Sequence, residues 1–240
     1  MSWRVDWITQ AGLVLVKEKV KVPCAQCGYR VNLLFHPMQT GRAAMAHVEP
    51  LSRGELAEFE PLFQMVEGSM GFVPNSFLTM ARWPELLSAF SAYAGTVMGP
   101  GVIEAELKQL IAFVVSQAAG CRYCQAHTSH VAEKRGATAD KIQAAFEFET
   151  SDLFSARERS ALRIALHAGM VPNAADSEHF KAAGEHFDER GLVEIVAVIS
   201  LFGALNRWND TLATSLEASP IAFAESMLVG AGWSIGKHGT

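Results

Sequence analysis

Residues 120–130 read Gly-Cys-Arg-Tyr-Cys-Gln-Ala-His-Thr-Ser-His, and the thiols of Cys121 and Cys124 are the groups there best suited to chemistry. Gly120 breaks the preceding apolar stretch, so the motif falls where a new helix begins. The N–H groups and positive dipole end of a helix stabilise a thiolate and lower its pKa. Residues at i and i+3 share one side of a helix, which brings the two sulfurs close enough to form a disulfide. His127, one turn beyond Cys124, can hold a proton for an arriving or departing thiol. Arg122 adds positive charge. A plainer reading is two buried cysteines beside two ordinary helical histidines. A metal site built from Cys121, Cys124, His127 and His130 is a third. It is the weakest geometrically, because each three-residue step turns about 60° back around the helix and His130 faces away from Cys121.

The elements that position this motif read as helices. Leu107, Leu110, Ile111, Val114 and Val115 form a buried stripe on a helix from about Glu104 to Ala118. The helix carrying the cysteines ends at Gly136, with Lys134 and Arg135 in its last turn. Upstream, Ser52 and Glu55 make a capping box that opens a helix toward Val66, closed by Gly68 and Gly71. A short helix around Phe77 to Arg82 and a helix from Pro84 follow, and Gly99-Pro100-Gly101 is a break. Downstream, Ser155 with Glu158 caps a helix to about Met170, and Ser177 starts another through Phe187. Glu189 to Trp208 reads as a central buried helix. A short helix around Thr211 to Glu217 and a last one after Pro220 complete the chain. There is no hairpin signal, so the expected fold class is all-α.

Composition bounds the rest. Half of the 240 residues are hydrophobic and 19% are charged, enough for a large core and for apolar subunit contacts. A net charge of −5 with no Lys/Arg cluster argues against a nucleic-acid partner. The most apolar stretch, Leu192 to Leu205, is too short to cross a bilayer and contains Glu194. No signal peptide is read, so the expected setting is cytoplasmic and reducing, where a Cys-x-x-Cys pair serves redox or metal chemistry. Residues 1–44 lack helical periodicity and read as a poorly ordered extension to a domain at 45–240; Met45 is a candidate alternative start. Within that extension Cys24 and Cys27 resemble half a zinc ribbon, with His36 as the nearest third ligand and nothing to supply a fourth.

The segment Leu107 to Gly136 resembles the alkylhydroperoxidase D and carboxymuconolactone decarboxylase family. A helix leads into Gly-Cys-x-Tyr-Cys, then a His near Thr, then a helix ending in Gly. The likeness extends from Val73-Pro74-Asn75-Ser76-Phe77 to Asn206-Arg207 and Thr211, as in the peroxidase-related branch. It implies an all-helical homo-oligomer that reduces hydroperoxides or disulfides through the cysteine pair. Cys124 would attack and Cys121 would resolve. The family's glutamate, twelve residues before the first cysteine, is replaced here by Gln109, and its histidine stands one position earlier, at His127. Glu106 or Glu194 is the expected substitute carboxylate. The alternative function is the non-redox chemistry of the family's decarboxylase branch on a small lactone or keto acid, which works without a cysteine pair. No cofactor or metal is expected. The remaining partners would be a small peroxide or disulfide and a thiol or protein reductant, since no nucleotide fingerprint is visible.

The cluster Asn206-Arg207-Trp208-Asn209-Asp210 reads chiefly as a helix C-cap with an Arg–Asp pair, and secondarily as a pocket wall near the cysteines. His167 reads as a core histidine; His179 and His186 read as solvent-facing.

Overall fold

The computed structural model describes residues 46–239, and within them every regular element is helical. Residues Cys24, Cys27 and His36 lie outside the described range.

The capping box at Ser52 forms, but it caps a single 3-10 turn, Arg53–Glu55. The chain then makes a second 3-10 turn before α1, Glu60–Met70. Gly68 lies within α1, and Gly71 alone ends it, in the left-handed conformation at φ 89°. After α2, Asn75–Met80, and α3, Pro84–Met98, the Gly99–Gly101 break leads to α4, Ala105–Ala118. Helix α5 is Arg122–Lys134, followed by the short α6, Ala139–Gln143. Helix α7, Ala156–Gly169, starts at the full Ser155–Glu158 capping box, and α8 is Ser177–Gly184. Helix α9, Glu189–Leu212, is the longest, and α10 is Ala218–Met227.

Helix α4 is the hub. It packs against α5, α7 and α9, and residues Leu107 to Ser116 are buried without a break. Leu110, Ile111, Phe113, Leu162, Ile164, Ile195 and Leu201 fill one core. A second cluster, with Phe63, Phe77, Met80 and Leu87, joins α1, α2 and α3. By length and composition alone α9 could cross a membrane. Ile195, Val198 and Leu201 on it belong to the protein core, and it buries Glu194, Asn206 and Asn209. It also continues through Leu212, so the expected helix at Thr211–Glu217 is instead the end of α9 plus an extended link.

Lys108 and Glu194 are buried together. Their charged groups lie 3.4 Å apart, and the Lys108 ammonium also donates to the Val97 and Gly99 carbonyls. Glu194 accepts from the Val102 and Ile103 N–H groups and from Arg190. Burial works to raise the Glu194 carboxyl, but these N–H groups, Arg190 and Lys108 outweigh it and hold it at about 2. The pair therefore ties α4 and α9 to the Gly99–Ile103 loop, and Glu194 is committed there rather than to the thiols.

Candidate functional site

Gly120 sets the position of the motif. At φ 74° it occupies the left-handed region, where a side chain is disfavoured. Its N–H bonds the Gln117 carbonyl at 2.9 Å, and the Cys121 N–H bonds the Ser116 carbonyl at 3.1 Å. These two bonds form a Schellman motif that closes α4. The chain reverses there, and Cys121 becomes the N-cap of α5. Cys124 sits one turn in. Residues Tyr123 to Ala132 are all buried, although seven of the ten are polar or titratable side chains. A helix this polar is buried for its side-chain contacts rather than for its hydrophobicity.

Both thiols are free, and both are buried. They differ in surroundings. Cys124 borders a cavity of about 650 Å³ between α1, α2, α3, α4, α5 and α9. Phe77, Phe90, Met98, Leu201, Phe202 and Leu205 form its apolar wall. Gln109, Tyr123, His127, Thr128 and Asn209 supply polar groups. Cys121 lies behind Cys124, away from the cavity lining. Asn209 donates from Nδ2 to Cys124 Sγ at 3.6 Å.

The two thiols also differ electrostatically. Hydrogen bonding from Cys124 and the proximity of His238 outweigh burial and lower the Cys121 thiol to about 6. Burial pushes the Cys124 thiol well up, and the adjacent Cys121 sulfur adds to this. Of the two thiols, Cys121 therefore loses its proton more readily than Cys124. Arg122 turns to Gln125, 3.3 Å away.

His127 instead pairs with Glu217, its Nε2 lying 2.5 Å from Oε2. The other carboxylate oxygen accepts from the Tyr123 hydroxyl at 2.9 Å and from the Asn75 N–H. Burial works to raise Glu217, yet His127 and the Asn75 N–H hold it below the ordinary carboxylate range. Burial and the neighbouring Glu217 push the Tyr123 phenol well above its usual value, so it stays protonated and donates. Glu217 is therefore the carboxylate of this site.

Glu106 is tied elsewhere. It bonds Lys141 at 2.8 Å, and Lys141 also bonds Glu158 at 2.6 Å. Gln109 does reach the cavity, on the next turn of α4. His130 faces away from the cysteines, between the rings of Phe72 and Phe223. The 206–210 cluster lies within α9 rather than at its C-cap, and only Asn209 of it reaches the cavity wall, where it touches Cys124; Trp208 Nε1 donates to Thr79 at 3.1 Å, and Asn206, Arg207 and Asp210 line a separate pocket. His167 is half-buried beside His179, which takes part in capping α8, so neither is a core or a free surface histidine.

The arrangement matches known proteins in order and in shape. The carboxymuconolactone decarboxylase family model matches residues 84–167. The uncharacterised protein YdfG of Bacillus subtilis (strain 168) is 33% identical over 104 residues, covering 42% of this chain and 68% of its own length. This chain belongs to the carboxymuconolactone decarboxylase family. Among solved structures, the debrominase Bmp8, as a cysteine-to-alanine variant in complex with 2,3,4-tribromopyrrole, is 38% identical, with a TM-score of 0.72 over 75% of this chain and 96% of that one. An alkylhydroperoxidase AhpD core, an uncharacterised peroxidase-related protein from Ralstonia eutropha JMP134, is 26% identical, with a TM-score of 0.62 over 73% of this chain and 94% of that one. The all-helical AhpD-like fold of the family is the fold seen here, with Cys121 and Cys124 at the start of α5.

Proposed function

We propose that this chain is a two-thiol oxidoreductase that reduces a small apolar organic hydroperoxide in the cavity beside Cys124. The observation that supports this best is the stacking of the two sulfurs. Cys124 faces an apolar cavity, and Cys121, the thiol of the pair that loses its proton more readily, stands one turn before it at the N-cap of α5.

In this reading the His127–Glu217–Tyr123 cluster accepts the Cys124 proton as substrate arrives. The Cys124 sulfur attacks the peroxide oxygen, the S–O bond forms and the O–O bond breaks. The alkoxide leaves and takes up a proton at the His127–Glu217–Tyr123 cluster, giving an alcohol. The Cys121 thiolate then attacks Cys124 Sγ. The S–S bond forms, hydroxide leaves as water after protonation, and two thiols have become one disulfide. The sum is one hydroperoxide and two thiols giving alcohol, water and disulfide. An external thiol or protein reductant restores the pair.

The likeness to the debrominase Bmp8 favours a second reading for the same thiols, with a brominated arene as the oxidant. The ring carbon gains a proton, Cys124 takes the bromine, and Cys121 displaces bromide to leave the disulfide. The cavity, about 650 Å³ and walled by aromatic rings, is roomy enough for such a ring. The test is a side-by-side assay with an organic hydroperoxide and a bromopyrrole, each with a dithiol reductant. Peroxide consumption with little bromide release supports the first reading, and the reverse supports the second. Turnover of either substrate by Cys124→Ser at the wild-type rate would refute both.

A further inference from the structure

A second buried cluster lies at Cys121, the thiol of the pair that does not line the cavity. Cys121, Asp210 and His238 place a sulfur, a carboxylate oxygen and a ring nitrogen within 4.8 Å of one another. His238 comes from the segment after α10. It is 1% exposed, and its backbone carbonyl accepts from the Leu216 N–H at 2.9 Å.

The tautomer of His238 follows from its contacts. Its Nδ1 lies 2.8 Å from the Thr214 carbonyl oxygen. A carbonyl can only accept, so Nδ1 carries the proton in the neutral ring. Nε2 is then a bare lone pair. It is buried, has no hydrogen bond, and has Cys121 and the Asp210 carboxylate, 3.7 Å away, as polar neighbours. An acceptor held this way beside a thiol is a base in position. The other charged and titratable groups around it are Cys124 and Tyr123 on α5, Asp210 on α9, and Lys237. Lys237 binds the second Asp210 oxygen at 2.9 Å, which leaves Asp210 partly neutralised and facing the ring. Separations of up to 4.8 Å are also wide for ligands converging on one zinc ion, whose bonds are about 2.0–2.3 Å long.

We propose that His238 is the proton partner of Cys121, taking the thiol proton to form an imidazolium–thiolate pair beside Asp210. The site then has two separate proton systems. His127, Glu217 and Tyr123 serve the cavity side, where a leaving group must be protonated. His238 serves the rear side, where Cys121 must lose its proton before it can close the disulfide. That last step rests on the two-thiol reading; the proton partnership does not.

The test is a pH titration of thiolate absorbance in Cys124→Ser protein, where among the described cysteines only Cys121 remains, with the Cys24 and Cys27 signal removed by Ser substitution. His238→Asn keeps a donor toward Thr214 and removes the base at Nε2. The proposal expects the Cys121 midpoint to rise by a pH unit or more in His238→Asn, about ten-fold less thiolate at pH values below the midpoint. An unmoved midpoint overturns it. So does a wild-type midpoint that shifts when the purified protein is treated with EDTA, because a metal ion would then hold the thiolate. Should His238→Asn fail to fold, the pair is read from the imidazole. In Cys121→Ser, the His238 ring resonances should titrate at lower pH than in the parent, and an equal midpoint overturns the proposal. If these shifts appear and no substrate oxidises the cysteines, the partnership stands and the two-thiol reading fails.

Discussion

Glu217 reaches His127 from 90 residues further along the chain. That separation explains why local spacing exposes the thiols and hides their carboxylate. Cys121, Cys124 and His127 share one helix, so a one-turn rule finds them. Glu217 and His238 are placed by the path of the chain after α9, and no pattern near either marks it as part of a site. Glu106 looked suitable because it lies one turn from Gln109, but it is held by Lys141, which also binds Glu158. Two predictions belong to this scale. Glu217→Gln should lower turnover on the order of a hundredfold, since positioned acid–base groups contribute that much or more; steady-state rates against a hydroperoxide measure it. Gln109→Glu should bring no gain, because Glu217 already supplies the carboxylate. A marked rise in rate for Gln109→Glu would show that Glu217 does not fill that role.

At the level of the elements, the apolar stripe of α4, the Gly120 break and the Ser155 capping box were legible because each is a local signal. The 3-10 turns before α1 and the full length of α9 were not. Ser52 signals a helix start equally well for one turn or four, and tertiary packing decides which. Asn206 to Asp210 look like a helix terminus, yet burial against α5 carries α9 through them. The clasp between elements is the Lys108–Glu194 pair. Glu194→Gln would leave a buried ammonium without its carboxylate, and removing one partner of such a pair costs about 3–5 kcal/mol. Chemical denaturation should show that loss. The pH dependence has a definite sign. Glu194 is held at about 2, below its ordinary value of 4.5, so its contribution is complete above the ordinary value. It declines as pH falls from there toward 2. Acid titration of wild type should show this component, and Glu194→Gln should lack it.

For the whole molecule, all-α architecture followed from helical periodicity nearly throughout, and the family from one short motif. Function is less legible, because cavity size and wall come from six helices far apart in sequence. Low charge and apolar content lead us to propose self-association, with Tyr93, Val193 and Val196 exposed on α3 and α9. Light scattering at micromolar concentration is expected to give at least twice the chain mass of 26.0 kDa. A mass that stays monomeric on concentration would contradict this. The account as a whole rests on Cys121 and Cys124 being oxidised together as substrate is reduced. The direct measurement is peptide mapping by mass spectrometry after one equivalent of organic hydroperoxide, without reductant. The account predicts a Cys121–Cys124 disulfide formed in equal amount to the alcohol product. Alcohol formed while both thiols stay reduced, or a disulfide found only at Cys24 and Cys27, would contradict it.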